Sequence, residues 1–375
     1  MPPSGTIGSP EAGRARRRKT LNPTAEQELD RIDARLAQRP GDADLWAEKG
    51  GLLARMGRVK EALACISRSL EIDPTSEELW FDLGVLQAES GQLGYALASF
   101  EAALELDPFH LEARLNRAHC LADSGRTGAA LESFEDILAE YPDEPQAWRG
   151  AGSCRQQLGR TEDALFALGR ALEFAPEDAE TWRLRGHCLA SAGRDDDALA
   201  SFERAARYGS SNHRPWVDAG AMLIARGRMA EALAYLDSAA RLSPGSPEVW
   251  MHRGLALDGL GQTAEAVRCL DRALGLAPGS SQIQLKKAEI LASLGELEEA
   301  LGCCLRALET NERDLAAWYQ RGQIEEQMGR MAEAARSYAR FLIFRPHPVR
   351  LEAERAHAVE MVRSYIGSLE DWGPR

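Results

Sequence analysis

The chain has no apolar run approaching the roughly 20 residues that a membrane-spanning helix needs. Its basic start, Arg14 to Lys19, leads into Thr20, Leu21, Asn22 and Pro23 instead of an apolar stretch, so no secretory signal is visible. Net positive charge is lacking too: the formal charge is −13. Nucleic acid and anionic membrane surfaces both require a basic footprint, so neither is an expected partner. The seven cysteines are an odd number without a Cys-x-x-Cys pair. That argues against a disulfide framework and for a reducing, cytoplasmic setting. No phosphate-cradling glycine loop, dinucleotide fingerprint or His-Glu-x-x-His occurs, and no catalytic class is suggested.

What is present is a period. A 34-residue unit returns nine times from Ala43 to Pro348, with nothing inserted or deleted between copies. Seven of the eight tryptophans share one position: Trp46, Trp80, Trp148, Trp182, Trp216, Trp250 and Trp318. Eleven residues after each such position stands a glycine (Gly57, Gly91, Gly125, Gly159, Gly193, Gly227, Gly261, Gly295 and Gly329), and five further on an alanine, from Ala62 to Ala334. Proline closes most units, as in Pro74, Pro108 and Pro142. A fixed period of this length marks a solenoid, in which each unit buries its apolar face only against its neighbours. Length alone would suggest two or three domains, but the repeat predicts one elongated body.

Each unit reads as two helices. In the second, Trp80, Leu83, Gly84 and Gln87 fall on one helical face. Gly91 stops that helix where a left-handed turn is needed. The next helix starts after Gln92 and carries Tyr95, Ala96, Leu97, Phe100, Ala103 and Leu104 on its buried side, ending at Asp107-Pro108. Small residues such as Gly50, Gly84, Gly152 and Gly186 in the first helix, and the fixed alanine in the second, predict close approach of the pair. The bases Lys49, Arg117, Arg185, Arg253 and Arg321 read as ion-pairing heads on buried stems.

The order Trp–Gly–Gly–Ala–Phe–Ala–Pro resembles the tetratricopeptide repeat family over residues 43–348, and unit two shows it in Trp80, Gly84, Gly91, Ala96, Phe100, Ala103 and Pro108. The resemblance implies an all-α fold, a right-handed superhelix of antiparallel helix pairs whose first helices line a concave groove that binds peptides or proteins. The expected organisation is a disordered basic arm over 1–23, a capping helix over 24–42 and nine units (43–76, 77–110, 111–144, 145–178, 179–212, 213–246, 247–280, 281–314 and 315–348). A C-terminal capping helix and tail follow over 349–375. At the first cap, Thr24 with Gln27 forms a capping-box pattern, and Ile32 and Leu36 cover unit one. At the second, Val359, Val362, Ile366 and Leu369 form the stripe. Arg114 and Gln284 depart from the pattern at the tryptophan position. Cys120, Cys154 and Cys188 recur at one position, but equivalent points on packed helices lie about 8–10 Å apart. They read as small buried hydrophobes, with no metal or cofactor implied.

By the family's geometry, the concave residues of the middle units are Asn116, His119, Arg149, Ser153, Arg183, His187 and Arg214. Arg149 and Arg183 share a slot, as do His119, Ser153 and His187. Such a ladder either holds a ligand carboxylate through charge-assisted hydrogen bonds or pairs internally with Glu112, Asp123, Glu180 and Asp218. Phe81 and Val85 on one flank, and Met251, Leu255, Leu285 and Tyr319 on the other, are either peptide contacts or inter-unit packing. The expected function is a non-catalytic, monomeric interaction scaffold. Its partner is a peptide or protein element with an acidic or C-terminal carboxylate group. A regulatory or substrate-presenting subunit of a separate modifying enzyme is the alternative.

Charge is uneven along the chain. Five bases against Glu11 give residues 1–24 a charge of +4, which leaves −17 on the remainder.

Overall fold

The computed structural model describes residues 23–344 and 351–370, with side chains over 25–344 and 351–365. The basic arm, the Thr24 side chain, the side chains of Ile366 and Leu369, and Trp372 lie outside the described residues. Among the described residues the chain is all-helical. It forms two compact bodies, one ending at Glu177 and the other beginning at Asp178.

The first body opens with α1 (Pro23–Gln38), followed by four helix pairs: α2 (Ala43–Arg55) with α3 (Val59–Ile72), α4 (Glu77–Glu89) with α5 (Leu93–Leu106), α6 (Leu111–Asp123) with α7 (Thr127–Glu140), and α8 (Pro145–Gln157) with α9 (Thr161–Phe174). The second body holds five pairs: α10 (Ala179–Ser191) with α11 (Asp195–Tyr208), α12 (Arg214–Ala225) with α13 (Met229–Leu242), α14 (Pro247–Gly259) with α15 (Thr263–Leu276), α16 (Ser281–Ser293) with α17 (Leu297–Thr310), and α18 (Leu315–Gln327) with α19 (Met331–Ile343). It closes with α20 (Glu352–Glu370).

Local chemistry sets these boundaries. Several first helices start at a short acid or serine whose side chain accepts an otherwise unpaired amide, as Asp42 does from Leu45 and Ser76 from Leu79. They stop at the repeated glycine, whose φ lies between +72° and +80° in all nine pairs. A Cβ disfavours that conformation, and the amide after the glycine turns back to the helix: Arg58 N–H donates to the Leu53 carbonyl at 2.9 Å. At several second helices the arginine just before the first turn pairs with an acid three residues on, as in Arg58–Glu61, Arg194–Asp197 and Arg228–Glu231.

Within a pair, packing is small against large. A Cβ on Gly84 would lie 2.6 Å from the Phe100 ring, one on Gly220 2.6 Å from Leu236 and one on Gly322 2.7 Å from Tyr338. The fixed alanines Ala62, Ala96, Ala164, Ala198, Ala266 and Ala300 are fully buried. Tyr95 departs from expectation. It is 69% exposed, because it precedes Ala96 by one residue and turns to the outer side of α5 while Ala96 and Leu97 take the inner one.

Successive pairs are joined by two recurring polar devices. The indole N–H of the repeated tryptophan donates to the carbonyl six residues earlier: Trp46 to Pro40, Trp80 to Pro74, Trp148 to Pro142, Trp250 to Pro244 and Trp318 to Glu312, at 2.7–3.0 Å. Three residues after the tryptophan position, a base reaches back sixteen residues to an acid in the preceding helix. These pairs are Lys49–Asp33 (2.5 Å), Arg117–Glu101 (3.6 Å), Arg253–Asp237 (2.8 Å) and Lys287–Asp271 (2.5 Å). Where Arg114 stands in place of tryptophan, its guanidinium makes a two-pronged bond with Glu140 at 2.8 and 2.9 Å. Gln284 at the same position is buried and accepts from Arg306 at 3.4 Å.

The first device and the first of these ion pairs show what α1 is. It stands where a second helix would stand and packs on α2 through Leu29, Ile32 and Leu36. The positions that other second helices bury as Ala62, Cys65 and Ser69 are Glu28, Arg31 and Arg35 in α1, all exposed. A solvated face on a terminal element is what a cap requires. At the other end, Leu351, Ala358, Met361 and Val362 pack against Tyr319, Tyr338 and Phe341. The packed stripe thus runs through Ala358 and Met361 instead of Val359, because the helix turns its Ala358 side toward Tyr338.

Candidate functional site

The first helices carry the side chains that the hairpin cores do not consume. In the first body, Phe81 and Val85 project from α4 but are half-buried against the core around Phe100 and Phe134. The Phe81 ring lies 4.9 Å from His110 and 5.9 Å from Phe100. On α6, the Asn116 amide donates to the Glu112 carbonyl one turn back at 2.8 Å. His119 packs its ring edge against Phe134 at 5.0 Å. Burial, together with the neighbouring Arg149 charge, holds its imidazole below the ordinary pKa and keeps it neutral. Arg149 and Ser153 follow on α8, both half-buried.

In the second body the corresponding face holds a charge network. Arg183 donates to both oxygens of Glu180, from Nε at 3.0 Å and from Nη2 at 2.7 Å. Its Nη1 reaches Asp218, on α12, at 3.1 Å. The His187 Nε2 lies 3.1 Å from the same Asp218 oxygen, and its ring packs 5.1 Å from Phe202. Burial acts to raise the Asp218 carboxyl. Hydrogen bonds and charge from His187 and Arg183 outweigh it and hold the group below the usual carboxylate range. Arg183 is held in its charged form by the same partners, Glu180 first. Of the two readings left open for Arg183, internal pairing is therefore present in this structure. Arg214 is exposed at the start of α12, where its amide bonds the Asn212 side chain at 3.0 Å.

The apolar flank of the second body is more enclosed than an open contact surface. Met251 is 4% exposed and belongs to the core around Leu257 and Leu270, while Leu285 packs beneath Ile324 and Trp318. Tyr319 is covered by the closing helix, and its hydroxyl lies 3.2 Å from the His357 Nδ1. Leu255 is half-buried. The sequence alone did not reveal the Asp218–His187 contact or the cover over Tyr319. One signal was available: Arg183 and Asp218 stand 35 residues apart, and Gln320 bonds the Leu285 carbonyl across the same interval. One period plus one residue therefore brings side chains of successive first helices together.

All seven cysteines are reduced and buried. Burial pushes the thiols of Cys154 and Cys188 up to about 11 and that of Cys304 up to about 12. Among the described residues, no three His, Cys, Asp or Glu side chains converge on a point that a metal could occupy. No helix among them is long and apolar enough to cross a membrane.

This pattern of helix pairs matches known family models. Four models described as tetratricopeptide repeat match residues 58–115 and 219–294, 87–154 and 121–188, 184–247, and 315–342. The chain belongs to the tetratricopeptide repeat family. Among solved structures, this tetratricopeptide repeat protein is similar to one titled as the APC/C hetero-tetramer Cut9–Hcn1. Identity is 14% and the TM-score 0.50, over 86% of this chain and 76% of that one. It is also similar to yeast Tom70, at 13% identity and a TM-score of 0.48, over 88% of this chain and 96% of that one. The likeness to the first of these speaks for the fold alone. No curated protein sequence matches the chain.

Proposed function

We propose that this tetratricopeptide repeat protein is a non-catalytic scaffold that binds an extended peptide or protein element along its first-helix faces. It would act as a monomer in a reducing, cytoplasmic setting. The observation that carries the reading is Arg183. Its guanidinium is already held by two carboxylates, Glu180 on α10 and Asp218 on α12, and such a group is suited to a ligand carboxylate as well. Glu180 is 47% exposed and can yield its place to an acidic or C-terminal carboxylate, while Asp218 keeps the arginine in position. Within the second body His187 and Arg214 supply the polar surroundings, and the first body offers a polar face of its own in Asn116, His119, Arg149 and Ser153. Phe81, Val85 and Leu255 are the apolar contacts; Met251, Leu285 and Tyr319 serve mainly the stacking of their own pairs.

The test is affinity capture from native lysate with the wild-type chain and an Arg149→Ala/Arg183→Ala variant. Loss of one stoichiometric protein in the variant supports the carboxylate slot, provided the variant keeps its helicity. Equal capture by both chains removes the arginines from the binding site.

A further inference from the structure

The segment just before α1 and the helix face beside it carry opposite charge. In the first-helix slots, α2 presents Asp44, Glu48 and the base Arg55, and α4 presents Glu78, Asp82 and Glu89, with the half-buried Phe81 and Val85 between them, so acids outnumber bases on this face. Glu48 is bonded by Arg35 at 3.0 Å. Among the described residues, no hydrogen bond or ion pair to a base holds Asp44, Glu78, Asp82 or Glu89. The equivalent face of the second body differs, since there Arg183 answers Glu180 and Asp218. At Asp82, desolvation by the neighbouring helices, and after it the charge of Glu78, pushes the carboxyl upward.

Geometry supplies the occupant. The 22 residues before α1 lie outside the described residues. That stretch contains Arg14, Arg16, Arg17, Arg18 and Lys19. Glu26, in the first turn of α1, lies 3.9 Å from Arg58 at the start of α3, so the chain enters α1 beside the turn that ends α2. Arg14 is nine residues from Pro23. At about 3.3–3.6 Å per extended residue, that stretch reaches roughly 30 Å. A 13-residue helix such as α2 is about 20 Å long. The five bases can therefore lie along the whole face.

We propose that the basic segment Arg14–Lys19 docks within its own molecule on the acidic first-helix face of α2 and α4, as a displaceable internal occupant. The inference goes beyond the scaffold reading and rests on it only in taking first-helix faces as binding faces. Attraction between exposed charges of this kind weakens with salt, since the Debye length falls from about 10 Å at 0.1 M to about 3 Å at 1 M.

The full-length chain can be treated with a zero-length carbodiimide crosslinker and mapped by mass spectrometry, a measurement that needs no partner. Its lysines are Lys19, Lys49, Lys60, Lys286 and Lys287, so crosslinks from the segment are assigned through Lys19. Expected is a Lys19 link to Asp44, Glu48, Glu78 or Asp82 in the monomer band. Its yield should fall several-fold in 1 M salt and in an Arg14→Ser/Arg16→Ser/Arg17→Ser/Arg18→Ser variant, which leaves Lys19 and every acid in place. Absence of a Lys19 link, links mainly to acids elsewhere, links confined to the dimer band, or a yield unchanged by salt and variant would each overturn the docking. None of these results bears on the capture experiment, so the two readings fail separately.

Discussion

Gly186 and Phe202 approach so closely that a Cβ on the glycine would lie 2.6 Å from the ring. Alanine here would gain about 1 kcal/mol of helix propensity but force the ring out of its place. The expected net effect of Gly186→Ala is a loss of about 1–3 kcal/mol, read from the urea midpoint. Gly169, in the middle of α9, has nothing within 4 Å of the same ideal Cβ. Gly169→Ala should raise the midpoint by about 0.5–1 kcal/mol. A stable Gly186→Ala chain would mean that Phe202 moves freely.

Asp218 has a side chain 22% exposed and a carboxyl held below its ordinary pKa. A group depressed in the folded state contributes stability above its unfolded pKa, near 3.9 for aspartate. That contribution is lost as pH falls through the folded value. Asp218→Asn should therefore unfold more readily than wild type at pH 7, and the difference should shrink as pH drops below about 4. A constant gap across that range would assign the effect to packing instead of charge.

Trp250 donates to the Pro244 carbonyl at 2.9 Å, and the Arg272 guanidinium lies 3.8 Å from its ring centroid. Trp250→Phe keeps an aromatic face and removes the donor, so a loss of about 1 kcal/mol is expected. Arg272→Ala should cost a similar amount, about 0.5–2 kcal/mol. Thermal melts of the two single variants and the double variant would show whether ring contact and hydrogen bond act independently.

The thiols of Cys154, Cys188 and Cys304 are buried and shifted upward, so little thiolate exists at pH 8. A chromogenic disulfide reagent should leave the native chain almost unlabelled over minutes and reach all seven cysteines in denaturant. Rapid native labelling would show that these helix pairs open locally.

The hairpins were legible because each rests on a short-range need: glycine at positive φ, an alanine or glycine opposite a large ring, a capping acid or serine. Gly91, Ala96 and Phe100 state those needs within one unit. The faces of the first helices were harder to read, because their environment is set by the next unit. Met251 and Phe81 occupy the same slot, yet one is enclosed and the other half-buried, a difference that their own unit does not announce. Tyr319 could not be read from its own unit either, since its cover arrives with His357. Period alone indicated that Lys49 and Arg253 would seek acids, while the sixteen-residue interval emerged from how one unit's second helix passes the next unit's first.

That interval makes the units interchangeable. If residues 281–314 were excised in register, Arg321 would arrive sixteen residues after Asp271, and the Trp318 indole six residues after the Pro278 carbonyl. The seam would recreate both joining devices from residues already present. A gene encoding such a chain can gain or lose whole units by unequal crossing-over, and its length can evolve without a new interface having to be invented.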